Sequence, residues 1–138
     1  MLNKSASLSV TQTESFISWI RFLRSEIECF SMPLPRALER CPREIYEGCG
    51  YTSDVPPTGI EDLIKKCRIA DGEVNRQLTR FCEDIGKGYR EEQLSLCDYC
   101  LELLEARRRE LAAELPTRRK LNSALCLSGA LALVILLI

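Results

Sequence analysis

The sequence predicts an all-α protein: an antiparallel helical bundle followed by a carboxyl-terminal transmembrane helix. Three observations carry that expectation. Apolar residues recur at alternating steps of three and four along most of the chain, the period of one helix face. No stretch shows sustained period-two alternation, the mark of a half-buried strand. The last eighteen residues, 121–138, carry no charge.

That final run holds ten Leu, Ile or Val: Leu121, Leu125, Leu127, Leu131, Leu133, Val134, Ile135, Leu136, Leu137 and Ile138. As a helix it spans about 27 Å at ~1.5 Å per residue, close to the ~30 Å hydrocarbon core of a bilayer. Its ten large aliphatic residues contribute at most about −3 to −6 kcal/mol to insertion. Arg118, Arg119 and Lys120 stand immediately before it, and Arg107, Arg108 and Arg109 lie further back. Basic residues beside a span favour the cytoplasmic side. The expected organisation is a flexible amino terminus over 1–10, a cytoplasmic bundle over 11–117, and a basic flank with membrane anchor over 118–138. Ala124, Ser128 and Ala132 place small residues at every fourth position, a face on which two membrane helices can approach and self-associate.

Composition narrows the function. Lys and Arg number 19 against 20 Asp and Glu, a net charge of −1, which argues against nucleic acid as the partner. Residues 1–10 are polar and small, with no apolar core of a secretory signal. The eight cysteines are therefore expected as thiols in a reducing compartment, packing as small hydrophobes. Histidine is absent, which removes the commonest general base and a main zinc ligand. No cofactor or metal is expected, and no enzymatic activity.

The elements follow in order. Thr11 and Glu14 have the spacing of a capping box. Phe16, Ile20, Leu23, Ile27 and Phe30 then form one apolar face, with Ile17 and Trp19 flanking it and Arg21, Arg24 and Glu28 off it in solvent. Pro33 ends this helix near Ser31, and Pro35 fits the first turn of the next. Leu34, Leu38, Cys41 and Ile45 continue the pattern across Pro42, where the helix either kinks or restarts. Gly48 and Gly50 end it, and residues 48–59 read as a loop. Thr58 and Glu61 offer a second capping box before Ile60, Leu63, Ile64 and Cys67. Asp71 caps a helix carrying Val74, Leu78, Phe81 and Ile85, with Gly86 at its C′ position. The longest helix aligns Leu94, Cys97, Leu101, Leu104, Arg108, Leu111 and Leu115, and Pro116 separates it from the anchor.

Two motifs point to chemistry only weakly. Cys97 and Cys100 form a CxxC inside a helical repeat, away from the helix start that redox pairs occupy. Gly86-Lys87-Gly88 lacks the spacing of a phosphate loop.

Three stretches resemble a known family. Phe22-Leu23-Arg24-Ser25-Glu26-Ile27 followed by Pro33-Leu34-Pro35-Arg36-Ala37-Leu38 resembles the first helical pair of the stage III sporulation protein AB family. Residues 81–93 are similar to that family's Phe-Gly-x-x-Leu-Gly-x-x-Asp-x-x-x-Gln stretch, with Ile85, Gly86 and Gln93 matching. Cys82 stands for its first glycine and Tyr89 for its aspartate. The ending, from Leu121-Asn122-Ser123-Ala124 to Ile138, is similar to the family's hydrophobic tail.

The resemblance implies more than the spacings do. The family belongs to endospore-forming bacteria and to a machine linking mother cell and forespore. Its soluble part is similar in fold to the cytoplasmic domain of type II secretion F proteins. The implied location is the mother-cell membrane around the forespore, with the soluble domain cytoplasmic. The implied partners are the machine's secretion-type ATPase, stage III sporulation protein AA, and its other membrane proteins. Family members usually begin with a hydrophobic segment; this chain begins MLNKSASLSVTQTES, so either its start is truncated or it keeps one anchor.

The expected function is a non-enzymatic, membrane-anchored platform that docks the ATPase. Candidate docking residues are Arg21, Arg24, Glu26, Pro33, Leu34, Pro35 and Arg36. The alternatives are a self-associating tail-anchored scaffold outside sporulation and a thiol redox protein using Cys97 and Cys100.

Overall fold

The computed structural model describes the backbone of residues 2–134 and the side chains of residues 7–114. Among the described residues six helices occur, in the order α1 (Leu2–Phe30), α2 (Leu34–Arg40), α3 (Arg43–Cys49), α4 (Ile60–Lys66), α5 (Gly72–Asp84) and α6 (Arg90–Val134). No strand occurs among the described residues. The all-α expectation holds among the described residues.

At Pro42, where a kink or a restart was expected, the helix restarts. The proline's φ of −59° and ψ of 140° break the run, so α2 ends at Arg40 with Cys41 as its C-cap, and α3 restarts from Pro42 as N-cap. A proline cannot donate the hydrogen bond that a continuous helix needs there. The expected start at Thr11 is corrected: α1 begins at Leu2. Thr11 lies inside the helix and its hydroxyl donates back to the Ser7 carbonyl at 3.0 Å, as Ser and Thr do in mid-helix. The second capping box is also displaced. Gly59 is the N-cap of α4, and Asp62 rather than Glu61 reaches back to accept from the Thr58 N–H at 3.1 Å. Asp71 caps α5 as expected, accepting from Val74 N–H. The α6 assignment runs through Pro116, where a separation was expected.

The order of paired charges fixes the directions. Arg21 meets Glu105, Arg24 meets Asp98, and Arg90 donates to the Glu28 carbonyl. Rising numbers on α1 meet falling numbers on α6, so the two are antiparallel. This pair forms the spine; α2 and α3 pack on α1, α5 on α6, and α4 on α5. Between them lies a core in which Phe16, Trp19, Ile20 and Leu23 of α1 are wholly buried, with Leu38, Leu63, Leu78, Cys97 and Leu104.

Trp19 is the centre of this core and not its flank. Its ring meets Phe16 and Phe81 edge-on, at 6.1 and 6.3 Å between centroids, the arrangement that ring quadrupoles favour. Phe30, expected on the apolar face, is 60% exposed and lies under the Arg40 guanidinium instead.

Two polar devices lock the outer elements. Gln12 donates to the carbonyls of Cys49 and Arg68 and accepts from Ala70 N–H, at 2.8–2.9 Å. One amide thus satisfies backbone groups from two separate loops. Gly48 lets α3 press onto α1: a Cβ there would lie 2.1 Å from Ser15 Oγ.

Among the described residues, no helix is long and apolar enough to cross a membrane. The expected anchor over 121–138, its basic flank Arg118, Arg119 and Lys120, and the small-residue face Ala124, Ser128 and Ala132 lie outside the described side chains.

Candidate functional site

The turn leaving α1 builds one wall of the site. Ser31 adopts a left-handed φ of 47°, and its N–H donates to Ile27 O at 3.1 Å, while Met32 N–H donates to Glu26 O at 3.2 Å. This is a left-handed helix end that satisfies the last carbonyls. The chain then emerges extended at Pro33 and begins α2 at Leu34. Pro33 and Pro35 are exposed, while Leu34 is half-buried against the core.

The opposite wall comes from the turn between α5 and α6. Ile85 is buried, and Gly86 takes a φ of +88° that an L side chain rarely adopts. A Cβ built on Gly86 would lie 3.7 Å from Leu34 Cδ2, so this glycine faces the first wall directly. Gln93 reaches back from α6 to donate to Gly88 O at 3.4 Å. Arg90 donates to Glu28 O at 2.8 Å, tying the start of α6 to the end of α1.

Between the walls lies a groove of about 620 Å³, lined by Ile27, Ser31, Met32, Pro33, Leu34, Pro35, Ile85, Gly86, Lys87, Arg90 and Gln93. Its size is that of a ligand or side-chain cleft. Two of the stretches that carry the family resemblance, about fifty positions apart in sequence, line the same depression.

The seven candidate docking residues therefore divide. Pro33, Leu34 and Pro35 line the groove, and Arg36 is exposed beside them. Arg21, Arg24 and Glu26 do not belong to it. Arg21 pairs with Glu105 at 2.6 Å, and Arg24 bridges Asp98 and Glu28. Glu26 is 4% exposed and held by Arg40. Arg21 remains exposed, as expected, while pairing within the molecule; of the three, only Glu26 is buried. Lys87, Arg90 and Gln93 line the groove without having been singled out for docking. Gly86-Lys87-Gly88 was the available signal, since Gly86 and Gly88 both hold positive φ around an exposed lysine.

The basic cluster on α6 is also partly internal. Arg107 makes two hydrogen bonds of 2.8 Å to the Asp71 carboxylate and one of 2.9 Å to Glu110. The Arg107 guanidinium, with the cap N–H of Val74, holds the Asp71 carboxyl below its ordinary range. Arg108, expected on the apolar seam, lies 3.9 Å from Glu14. Among the described side chains the rest of the expected seam holds: Cys97, Leu104 and Leu111 are buried, joined by Cys100, and Leu94 and Leu101 pack partly buried against the core.

Cys97 and Cys100 are both buried and unpaired. Burial pushes each thiol up to about 12. At neutral pH they are protonated, and the thiolate is the nucleophile in redox exchange. The arrangement suits packing and offers no activated sulfur.

The comparisons bear on the same region. The family model of stage III sporulation protein AB matches residues 58–138, which include the second wall of the groove. No curated protein and no solved structure matches the chain. A match over more than half of the sequence, taking in Ile85, Gly86 and Gln93 together, settles kinship: the chain belongs to the stage III sporulation protein AB family.

Proposed function

We propose that the protein is a membrane-anchored platform of the sporulation machine, and that its helical body docks the cytoplasmic secretion-type ATPase, stage III sporulation protein AA. The family gives the sporulation role, and the groove supplies the docking surface. A single observation carries it. Two turns far apart in sequence are each shaped by a left-handed backbone residue, Ser31 and Gly86, to form one groove with an apolar floor and cationic rim. Binding energy at protein interfaces concentrates in such desolvated pockets.

The platform works by position. The α1–α6 spine holds the groove at one end, and the carboxyl-terminal part of α6 leads from Leu111 toward the anchor segment. An anchored helix of fixed length would set the groove's distance from the bilayer at ~1.5 Å per residue. From Arg90 to Lys120 that is about 45 Å if the helix is continuous.

The test uses the full chain in lipid nanodiscs and the purified ATPase. Binding, a changed rate of ATP hydrolysis, and loss of both on Leu34→Glu are expected. Absence of binding with a correctly folded chain would overturn the reading.

A further inference from the structure

We propose that the groove takes an acidic segment of its partner, with an apolar side chain set between Leu34 and Ile85 and flanking carboxylates on Lys87 and Arg90. The proposal deepens the docking reading above and rests on it.

Charge is the argument. The two ionisable side chains that line the groove are both cationic, and no carboxylate lines it. Lys87 is exposed, and among the described residues no carboxylate stands within ion-pair distance of its ammonium. Arg90 is held in place by its bond to the Glu28 carbonyl, which brings no charge. Its nearest carboxylate is Glu91, at 3.5 Å and 80% exposed, too wet to neutralise it.

The other side of the same turn has the reverse sign. A second depression there is lined by the carboxylates Asp84, Glu91 and Glu92, and Lys87 lines it as well. Lys87 thus stands on a divide between a cationic groove and an anionic one. An acidic segment is drawn to the first and repelled by the second, so the pair fixes which side a partner enters. The apolar part of the recognition is set by Leu34 and Ile85. Leu34 is half-buried and packs against the core, so its contact face is supported from behind.

The experiment measures three fluorescein-labelled peptides against the full chain in nanodiscs by anisotropy. The first has Leu-Phe flanked by two acidic residues on each side. The second replaces the acids with lysines, and the third replaces Leu-Phe with Gly-Gly. The first peptide should bind at least about tenfold tighter than either other, and its affinity should fall as salt rises from 50 to 300 mM. Lys87→Glu together with Arg90→Glu should weaken it by about tenfold. Lys87→Glu alone, which spares the bond to Glu28, should give a smaller loss in the same direction. Circular dichroism checks that both variants keep the fold. Equal binding of the acidic and basic peptides, no binding of the first, or no response to Lys87→Glu would each overturn the proposal. The peptides contain nothing of the ATPase. Peptide selectivity without ATPase binding would therefore reject the platform reading alone, and ATPase binding indifferent to Lys87→Glu would reject the acidic segment alone.

Discussion

The long α1–α6 face and the groove at its end treat their charges in opposite ways. Along the face, Arg21, Arg24 and Glu28 meet Glu105, Asp98 and one another across 2.6–2.9 Å contacts or shorter ones. In the groove, Lys87 has no carboxylate within ion-pair distance among the described residues, and Arg90 has only the exposed Glu91, at 3.5 Å. A charge on a helix face is not by itself a docking residue, because an antiparallel neighbour can supply its partner. Charges on a turn have no such neighbour, and it is there that recognition has room to act.

This contrast can be broken by substitution, and the largest effect is expected at the groove. Leu34→Glu buries a carboxylate in its apolar floor and should lower ATPase affinity by about thirtyfold or more, the scale of a hot-spot loss. Circular dichroism should show the helical content retained. Gly86→Ala follows, since a side chain in the left-handed region costs roughly 1–2 kcal/mol. It should lower the unfolding midpoint and weaken docking together, because the same turn serves both.

Asp71→Asn comes next, at the end of α5 away from the groove. It removes the Arg107 pair while leaving a cap, and should cost about 1 kcal/mol at pH 7. Its pH signature is distinctive. A carboxyl held below its ordinary value stabilises above the unfolded pKa of about 4, and that stability is lost as pH falls through the lower folded value. Urea melts from pH 7 to 2 should therefore show a shallower acid limb in the variant. ATPase affinity should not change.

The smallest effects are expected from Arg21→Ala and Arg24→Ala, each under about 1 kcal/mol, as for exposed ion pairs. Docking should stay within twofold. A docking loss at these positions matching that of Leu34→Glu would erase the contrast between face and groove.

Much of the fold was legible from periodicity. Val74, Leu78, Phe81 and Ile85 are all buried as their spacing required, and Asp71 caps α5. What failed did so for identifiable reasons. Thr11-x-x-Glu14 has the form of a capping box, but the motif cannot say whether a helix already runs through it, and here one does. Trp19 looked peripheral because the stripe was drawn through Ile20; Phe16 and Leu23, three before it and four after, place it on the same face. Of the groove, Pro33, Leu34 and Pro35 were legible as candidates, whereas Lys87 and Arg90 were not. Their meeting with Leu34 depends on how α1 and α6 pack, which is a tertiary fact that no local spacing contains. The same holds for Gln12, whose side chain joins positions 49, 68 and 70.

A photo-crosslinking side chain placed at position 87, and separately at position 21, in the full chain tests the central claim most directly. Irradiation in nanodiscs with the ATPase should yield a covalent adduct from position 87 and none above background from position 21. Adducts from position 21 alone would contradict the account and move the docking surface to the α1–α6 face.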